Sequence, residues 1–148
     1  MFKATIRLKD WMVLRHYRDG KLIYEYRSPD LVTAVGKSRI AGLINGVFST
    51  AFTYIAIGTG TVTPSTSDTA LGNEVSRSTA SCSTLTTSSP GDTAYLRSSF
   101  SFSSSYAITE TGVFNASSGG DMLCRQTFPP VNVLNGDGLE INWYVQVV

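Results

Sequence analysis

The sequence predicts a mainly β protein: an antiparallel, jelly-roll-like β-sandwich with an N-terminal hairpin and one short helix. Apolar and polar residues alternate in many short runs, turn-forming residues separate these runs at near-regular spacing, and a single segment has helical periodicity. Eight or nine short strands fit one sandwich. We expect a single domain over residues 1–148, made of basic N-terminal strands (1–30), a short helix (31–46) and the main sandwich (52–148).

Composition bounds the functional classes. Hydrophobic residues make up 42% of the chain and charged residues only 16%, a weakly charged surface that suits packing against copies of itself. Residues 1–40 hold nine Lys and Arg against four Asp and Glu, whereas residues 41–148 hold three against seven. This basic part is either a solvated strand face or a surface for an acidic partner. No run approaches the ~20 apolar residues of a membrane span, so we expect no membrane partner.

The first thirty residues predict strands joined by a tight turn. Residues 2–9 alternate like a half-buried strand. Asp19-Gly20 predicts a two-residue hairpin turn, because both residues tolerate positive φ. With that register, the exposed face would carry His16 and most of the charge, and the buried face would carry Trp11, Val13, Tyr17, Leu22, Tyr24 and Tyr26.

One segment predicts a helix. Either Asp30 or Thr33 would be its N-cap, and Asn45-Gly46 is a stop signal. Two internal glycines cost about 1 kcal/mol each relative to Ala, so the helix should depend on packing against the sheet. The apolar residues that recur at a spacing of about 3.6 are Leu31, Val35, Ile40, Leu43, Ile44 and Val47.

A buried strand and a long loop follow. Tyr54–Ile57 is short, apolar and bounded by glycine, which predicts a central strand. We expect the loop from Gly58 to Gly72 to fold onto the sandwich through Leu71, with Ser67-Asp68 capping one helical turn. Its Gly-Thr-Gly start lacks the third glycine of a dinucleotide fingerprint and the lysine of a phosphate loop, so we interpret these glycines as a bend.

The rest of the chain predicts more strands. Residues 76–105 are rich in Ser and Thr; a disordered linker is one interpretation, but interleaved apolar residues and the Ser89–Asp92 turn favour strands. Pro129-Pro130 should exclude a central strand at that point. The last third predicts strands at Tyr106–Asn115, Asp121–Phe128 and Leu139–Val148.

Residues capable of catalysis or metal binding are scattered. His16 is the single histidine, and neither Cys82 nor Cys124 has a second ligand at metal spacing, so we expect both thiols to be reduced and at least half-buried. We interpret the acids of the central and C-terminal parts as caps and turn residues rather than a catalytic pair. The prediction is a protein without catalytic residues, metal or cofactor; the acids concerned are Asp68, Glu74, Glu110, Asp121, Asp137 and Glu140.

Two sequence patterns together resemble one that recurs in small structural proteins of tailed bacteriophages. The first is Tyr-Ile-Ala-Ile-Gly-Thr-Gly-Thr at residues 54–61, followed by Thr63-Pro64 and by Ser-Asp-Thr-Ala-Leu-Gly-Asn-Glu-Val at 67–75. The second is Ile-Thr-Glu-Thr-Gly-Val-Phe-Asn at 108–115 with the Gly119-Gly120 turn. The likeness covers most of the chain and is weakest over residues 78–105.

The resemblance implies a non-enzymatic virion protein, an oligomeric accessory component of the head or of the tail, collar or fibre apparatus. Its partners would be further copies of itself and other virion proteins. Direct nucleic-acid binding is not expected, because the hairpin aromatics are predicted to face away from most of the charge. The contact candidates are Arg15, Arg18, Lys21 and Arg27 in the hairpin, and Thr59, Thr61, Pro64, Asp68 and Leu71 in the loop.

Two other functions are possible. The first is a carbohydrate- or receptor-binding adhesin module of a phage tail, which would bind a host-surface glycan and would need Trp11, Trp143 or Tyr144 at the surface. The second, an enzyme, would have to use acids such as Glu110 or Asp68.

Overall fold

The computed structural model describes residues 4–148 and shows two five-stranded antiparallel sheets packed face to face. Sheet A has the strand order β2-β1-β10-β7-β6, and sheet B has the order β3-β9-β8-β4-β5. The predicted β-sandwich is therefore confirmed. The strands are β1 Leu8–Arg18, β2 Lys21–Pro29, β3 Leu31–Val32, β4 Tyr54–Gly58, β5 Glu74–Thr79, β6 Ser81–Leu85, β7 Thr93–Ser101, β8 Tyr106–Phe114, β9 Met122–Val133 and β10 Gly138–Val147.

Strand β10 forms the centre of sheet A, between β1 and β7. Its side chains alternate as predicted: Trp143 and its apolar neighbours point into the core, whereas Tyr144 points outward. Facing residues of β4, β8 and β9 complete the core from sheet B. The largest fully buried side chains include Trp143, Phe114, Met12, Leu14, Ile55, Ile57, Ile108, Met122, Leu139 and Ile141.

The N-terminal strand differs from the prediction in its start and in its buried face. It begins at Leu8; residues 4–7 lie outside any strand, and residues 2 and 3 lie outside the described range. Met12, Leu14 and His16 face the core, so the predicted buried face is wrong for this strand, whereas Tyr26 of β2 packs on the core as predicted. The register matches the prediction at Tyr17–Leu22, but a bulge then shifts the pairing. Trp11 points outward.

The helix α1 spans Ala34–Asn45 and packs through its glycines. Thr33 is the N-cap and accepts a hydrogen bond from the Gly36 amide, and the left-handed Gly46 ends the helix. A Cβ on Gly36 would lie 2.6 Å from the Leu123 carbonyl oxygen, so this glycine lets the helix approach β9 closely. The prediction that Ile44 and Val47 share the buried side is wrong, because both are exposed.

The strands after β4 follow the prediction, except that β9 extends beyond its predicted end. The Ser/Thr-rich segment forms β5, β6 and β7. Strand β9 continues through Pro129-Pro130, where the sequence predicts no central strand. Because β3 pairs only with Arg125 and Cys124, β9 is an edge strand at the prolines, where a missing N–H costs no ladder bond. Within residues 4–148 no helix has the length and apolarity to cross a membrane.

Candidate functional site

The loop of residues 59–73, hereafter the 59–73 loop, lies across the outer face of sheet B. Leu71 is buried there as predicted, in a small apolar cluster with Ala56, Phe114 and Met122. Gly112 leaves space for it, since a Cβ at that position would lie 3.2 Å from Leu71 Cδ2. The loop therefore forms a third layer on the sandwich.

Glu110 is the residue that holds the 59–73 loop. It lies in β8 with a side chain that is 0% exposed. Its carboxylate accepts hydrogen bonds from the amides of Gly60 at 2.8 Å, Gly72 at 2.9 Å and Asn73 at 2.8 Å. One carboxylate thus binds both ends of the loop to the sheet.

Arg125, in the neighbouring strand β9, completes this site. Its Nε and Nη2 donate to Glu110 Oε2 at 3.1 and 3.0 Å, its Nη1 donates to Asp68 at 3.0 Å, and its Nη2 also donates to the Val62 carbonyl at 2.8 Å. Burial alone would raise the pKa of Glu110, but the three amide hydrogen bonds and the guanidinium outweigh it and lower that pKa. Glu110 and Arg125 are therefore both charged, and together they connect strands β8 and β9 of sheet B to the tip of the 59–73 loop.

The glycines at the start of the loop are explained by the carboxylate. We interpreted Gly58 and Gly60 as a bend, but neither is among the residues of positive φ. A Cβ on Gly60 would lie 2.5 Å from Glu110 Oε1, and one on Gly58 would collide with the Asn73 carbonyl oxygen and lie 2.6 Å from Glu110 Oε1. The bend interpretation is therefore wrong in its cause: the backbone must approach a buried oxygen closely.

Asp68 also has a role other than the predicted one. Residues 66 and 67 form a turn and no helical turn follows. Asp68 accepts a hydrogen bond from the Ser65 amide at 2.9 Å and binds Arg125. The Thr66 carbonyl accepts from the Ala34 amide at the start of α1. Asp68 therefore shapes the loop tip from within, and Thr61 and Pro64 lie on that tip, exposed and half-buried respectively.

The hairpin candidates lie on the opposite side of the sandwich from the 59–73 loop. Arg15 pairs with Glu25 and Glu140 on the outer face of sheet A, and Arg18 pairs with Asp137. Lys21 and Arg27 are exposed. The two groups of predicted contact residues thus form two surfaces rather than one.

His16 and Asp137 fix the tip of the hairpin. The sequence predicts His16 on an exposed face, but this side chain is buried, and its Nε2 lies 2.8 Å from Asp137 Oδ2. Arg18 donates two hydrogen bonds to the same carboxylate and, as the largest influence, lowers the pKa of Asp137; burial opposes this, and the Leu134 amide adds to it. The lone histidine is part of a structural bridge between β1 and the turn before β10.

The outer face of sheet A is covered by its own side chains. Trp11 stacks on Tyr144 with ring centroids 5.0 Å apart and an interplanar angle of 4°, and Tyr95 lies against the other side of Tyr144. Beside this stack, Asn142 accepts a hydrogen bond from the Tyr95 hydroxyl and donates to Glu140. Glu140 also binds Arg15 and Arg97.

Two acids lie at one corner between the sheets, and their pKa values are raised, whereas the pKa of Glu110 is lowered. Both carboxyl oxygens of Asp30 and Oδ2 of Asp10 are buried without a hydrogen-bond partner among the described residues. Burial, and then the charge of Asp10, raises the pKa of Asp30 to about 9. Burial also raises the pKa of Asp10. We conclude that Asp30 is protonated at neutral pH.

The sequence interpretation missed Glu110 and Arg125. A signal was available, since each is a charged residue inside a strand whose inward residues are apolar, and the two strands are joined by the Gly119-Gly120 turn. Charged residues are almost never fully buried unless they are paired, so two on adjacent strands predict each other.

Other reactive groups do not converge. Cys124 is buried and Cys82 is exposed, so the expectation of burial holds only for the first. Within residues 4–148, no group of three or more His, Cys, Asp and Glu side chains is placed to hold a metal ion. Comparisons of the chain with protein-family models, with curated proteins and with solved structures found no match.

Proposed function

We propose that this chain is a non-enzymatic structural protein of a bacteriophage virion, an oligomeric accessory component of the head or of the tail, collar or fibre apparatus. The resemblance of its two sequence patterns to such proteins motivates the proposal. The observation that carries it is the 59–73 loop, a surface segment whose tip, residues 61–67, is uncharged and whose conformation is fixed by a buried ion pair.

The tip of the 59–73 loop has the character of a protein contact. Residues 61–67 include no charged residue, and Val62 is 72% exposed. Cores of protein interfaces are depleted of charge in the same way. Because the tip is already held by Arg125 and Glu110, little conformational entropy would be lost when it binds a partner.

The buried ion pair supports this interpretation further. Replacing a buried pair by apolar residues is often neutral or stabilising, so such a pair is weak grounds for a stability role. Here Arg125 and Glu110 determine where the loop tip lies. We therefore assign the tip as the surface that contacts a second copy of the chain, and Arg125 and Glu110 as the residues that position it.

The oligomeric mass tests this assignment. We expect light scattering after gel filtration to give a mass above the 16.0 kDa of one chain. Val62→Asp should lower that mass, because it places a charge in the contact. Val47→Asp is the matched control: Val47 is 69% exposed but lies after α1, so its mass should equal that of the wild type.

A strictly monomeric wild type that also fails to bind assembled particles would overturn the proposal. If both variants kept the wild-type mass of an oligomer, the protein would still be oligomeric, but the 59–73 loop would not be its contact. The position on the particle is tested separately, by electron microscopy of assembled virions with this protein labelled.

The carbohydrate- or receptor-binding alternative is favoured by a different observation. Trp143 is buried in the core and unavailable, but Trp11 and Tyr144 are only half-buried on the outer face of sheet A. Aromatic rings at a protein surface suit binding to sugar rings, and this face lies away from the 59–73 loop.

A further inference from the structure

The aromatic stack on sheet A leaves one face of the Trp11 indole without an aromatic partner among residues 4–148. Tyr144 lies between Tyr95 and Trp11, so both faces of its ring are occupied. Trp11 stacks on Tyr144 from β1, and on the other side of β1 it is paired with Pro29 of β2. The face of Trp11 that is turned away from Tyr144 therefore looks toward β2.

A groove of about 460 Å³ lies on that side. Its volume falls in the range of small-molecule sites, which combine an apolar surface with a few placed polar groups. Trp11 and Pro29 supply the apolar surface. The polar side chains come from β1, β2, the turn after β6 and β10, and are those of Lys9, Arg27, Thr87 and Gln146.

Gln146 is a fixed acceptor in this groove. It is 4% exposed, and its Nε2 donates to Ser88 Oγ at 3.0 Å and to Asp92 Oδ2 at 2.9 Å. Asp92 is itself held by the amides of residues 87, 88 and 89. This arrangement orients the amide and leaves Gln146 Oε1 to accept a hydrogen bond from a ligand.

Lys9 and Arg27 give the groove its charge. Both side chains are exposed, and neither forms an ion pair with any of residues 4–148. Asp10 also borders the groove, but its carboxyl group belongs to the buried corner with Asp30. A ligand here would meet two cations, one flat aromatic surface and one acceptor.

We propose that this groove binds an acidic saccharide. The sugar ring lies on the free face of Trp11, its carboxylate or phosphate group lies between Lys9 and Arg27, and a hydroxyl donates to Gln146. Single-stranded nucleic acid fits less well, because it needs successive stacking surfaces along a basic track. Only one ring face is free here, and Glu25 and Glu140 interrupt the basic residues of the same sheet face.

The inference rests on the second of the two functions above and is independent of the 59–73 loop. It is tested by calorimetric titration with tetragalacturonate, sialyllactose and mannose 6-phosphate. Cellotetraose is the neutral control, and a short oligothymidylate is the nucleic-acid control. We expect at least one acidic saccharide to bind at least about tenfold more tightly than cellotetraose.

Variants separate the groove from the rest of the surface. Trp11→Ala should weaken saccharide binding by at least about tenfold, and Arg27→Gln and Lys9→Gln should reduce the preference for acidic over neutral sugar. Tyr24→Ala and Lys21→Gln are matched controls on the same hairpin and should bind like the wild type. Melting temperatures check that each variant is folded, and Arg27→Gln tests the site even if Trp11→Ala does not fold.

Three results would overturn the inference: no binding of any acidic saccharide up to about 5 mM, binding that survives both Trp11→Ala and Arg27→Gln, or tighter binding of the oligothymidylate. None of these depends on oligomerisation. Val62→Asp should bind saccharide normally, and Arg27→Gln should keep the wild-type mass, so the failure of one proposal is distinguishable from the failure of the other.

Discussion

The two outer faces of the sandwich are covered in different ways. On sheet B, a chain segment lies over the strands and is held by the buried charges of Glu110 and Arg125. On sheet A, side chains of the strands cover each other, through the stack of Trp11 and Tyr144 and the hydrogen bonds of Asn142. Sheet B therefore presents one fixed backbone loop, whereas sheet A presents a side-chain surface with a groove.

The two faces are therefore held by separate sets of residues. Removing the anchor of the 59–73 loop should expose sheet B without altering the groove on sheet A. Removing the aromatic stack should change sheet A and leave the loop in place.

The largest effect is expected from Glu110→Gln. Glutamine offers one acceptor oxygen in place of a carboxylate and leaves the Arg125 guanidinium buried without its counter-charge. We expect the free energy of unfolding in urea to fall by about 3–5 kcal/mol. Glu74→Gln is the control: its ion pair with Arg77 is partly exposed, so the loss should be below about 1 kcal/mol. Equal losses would contradict the role given to Glu110.

Leu71→Ala should have the next largest effect. It removes the side chain that fills the cluster between the loop and sheet B, at a cost of about 2–3 kcal/mol. Leu134→Ala, at an exposed leucine, should cost little. Urea unfolding measures both changes. If Leu71→Ala were as mild as its control, the loop would not be packed on the sheet.

Glu110 and Asp30 should change the stability of the protein with pH in opposite directions. The pKa of Glu110 is lowered, so its contribution is present above its ordinary pKa and is lost as pH falls through the folded-state value. Asp30 has a raised pKa of about 9, so the folded state keeps a proton that the unfolded state releases, and stability falls as pH rises toward 9.

Asp30→Asn tests whether protonated Asp30 makes stability fall as pH rises. The variant should lose a slope of up to about 1.4 kcal/mol per pH unit between pH 5 and 8, and should be more stable than the wild type at the upper end. Urea titrations at several pH values measure it. A wild type whose stability is flat or rises across this range, with an unchanged slope in the variant, would contradict the protonated state of Asp30.

Trp11→Ala should have the smallest effect on stability, about 1–2 kcal/mol, because it removes a half-buried indole and leaves Tyr144 without one of its stacked partners. The 59–73 loop should remain protected from hydrogen exchange in this variant. Loss of that protection would show that the two faces are coupled rather than independent.

Much of the architecture could be predicted from sequence, because it follows from local patterns. The Asp19-Gly20 turn, the Thr33 cap and the Gly46 stop are local backbone preferences, and β10 alternates over its whole length. The buried face of β1 could not be predicted in this way. The pairing of β1 with β10, which places Trp11 beside Tyr144, 133 positions later in the chain, decides which way Trp11 points.

The site was less predictable for a similar reason. Leu71 was identifiable as an apolar residue in a polar loop, but the function of Gly60 depends on Glu110, 50 positions away. A glycine that accommodates a distant carboxylate looks the same in sequence as one that makes a bend. Gln146 likewise could not be identified as a groove residue from sequence, because only the fold brings β10 beside the turn before β7.

We infer that Glu110 fixes the 59–73 loop as a rigid surface. Native-state hydrogen exchange at the amides of Gly60, Gly72 and Asn73 tests it most directly, because these three N–H groups donate to that carboxylate. We expect these amides to be protected about as well as the β4 amides in the wild type and to lose that protection in Glu110→Gln. Exchange in the wild type at the rate of an open loop would contradict it.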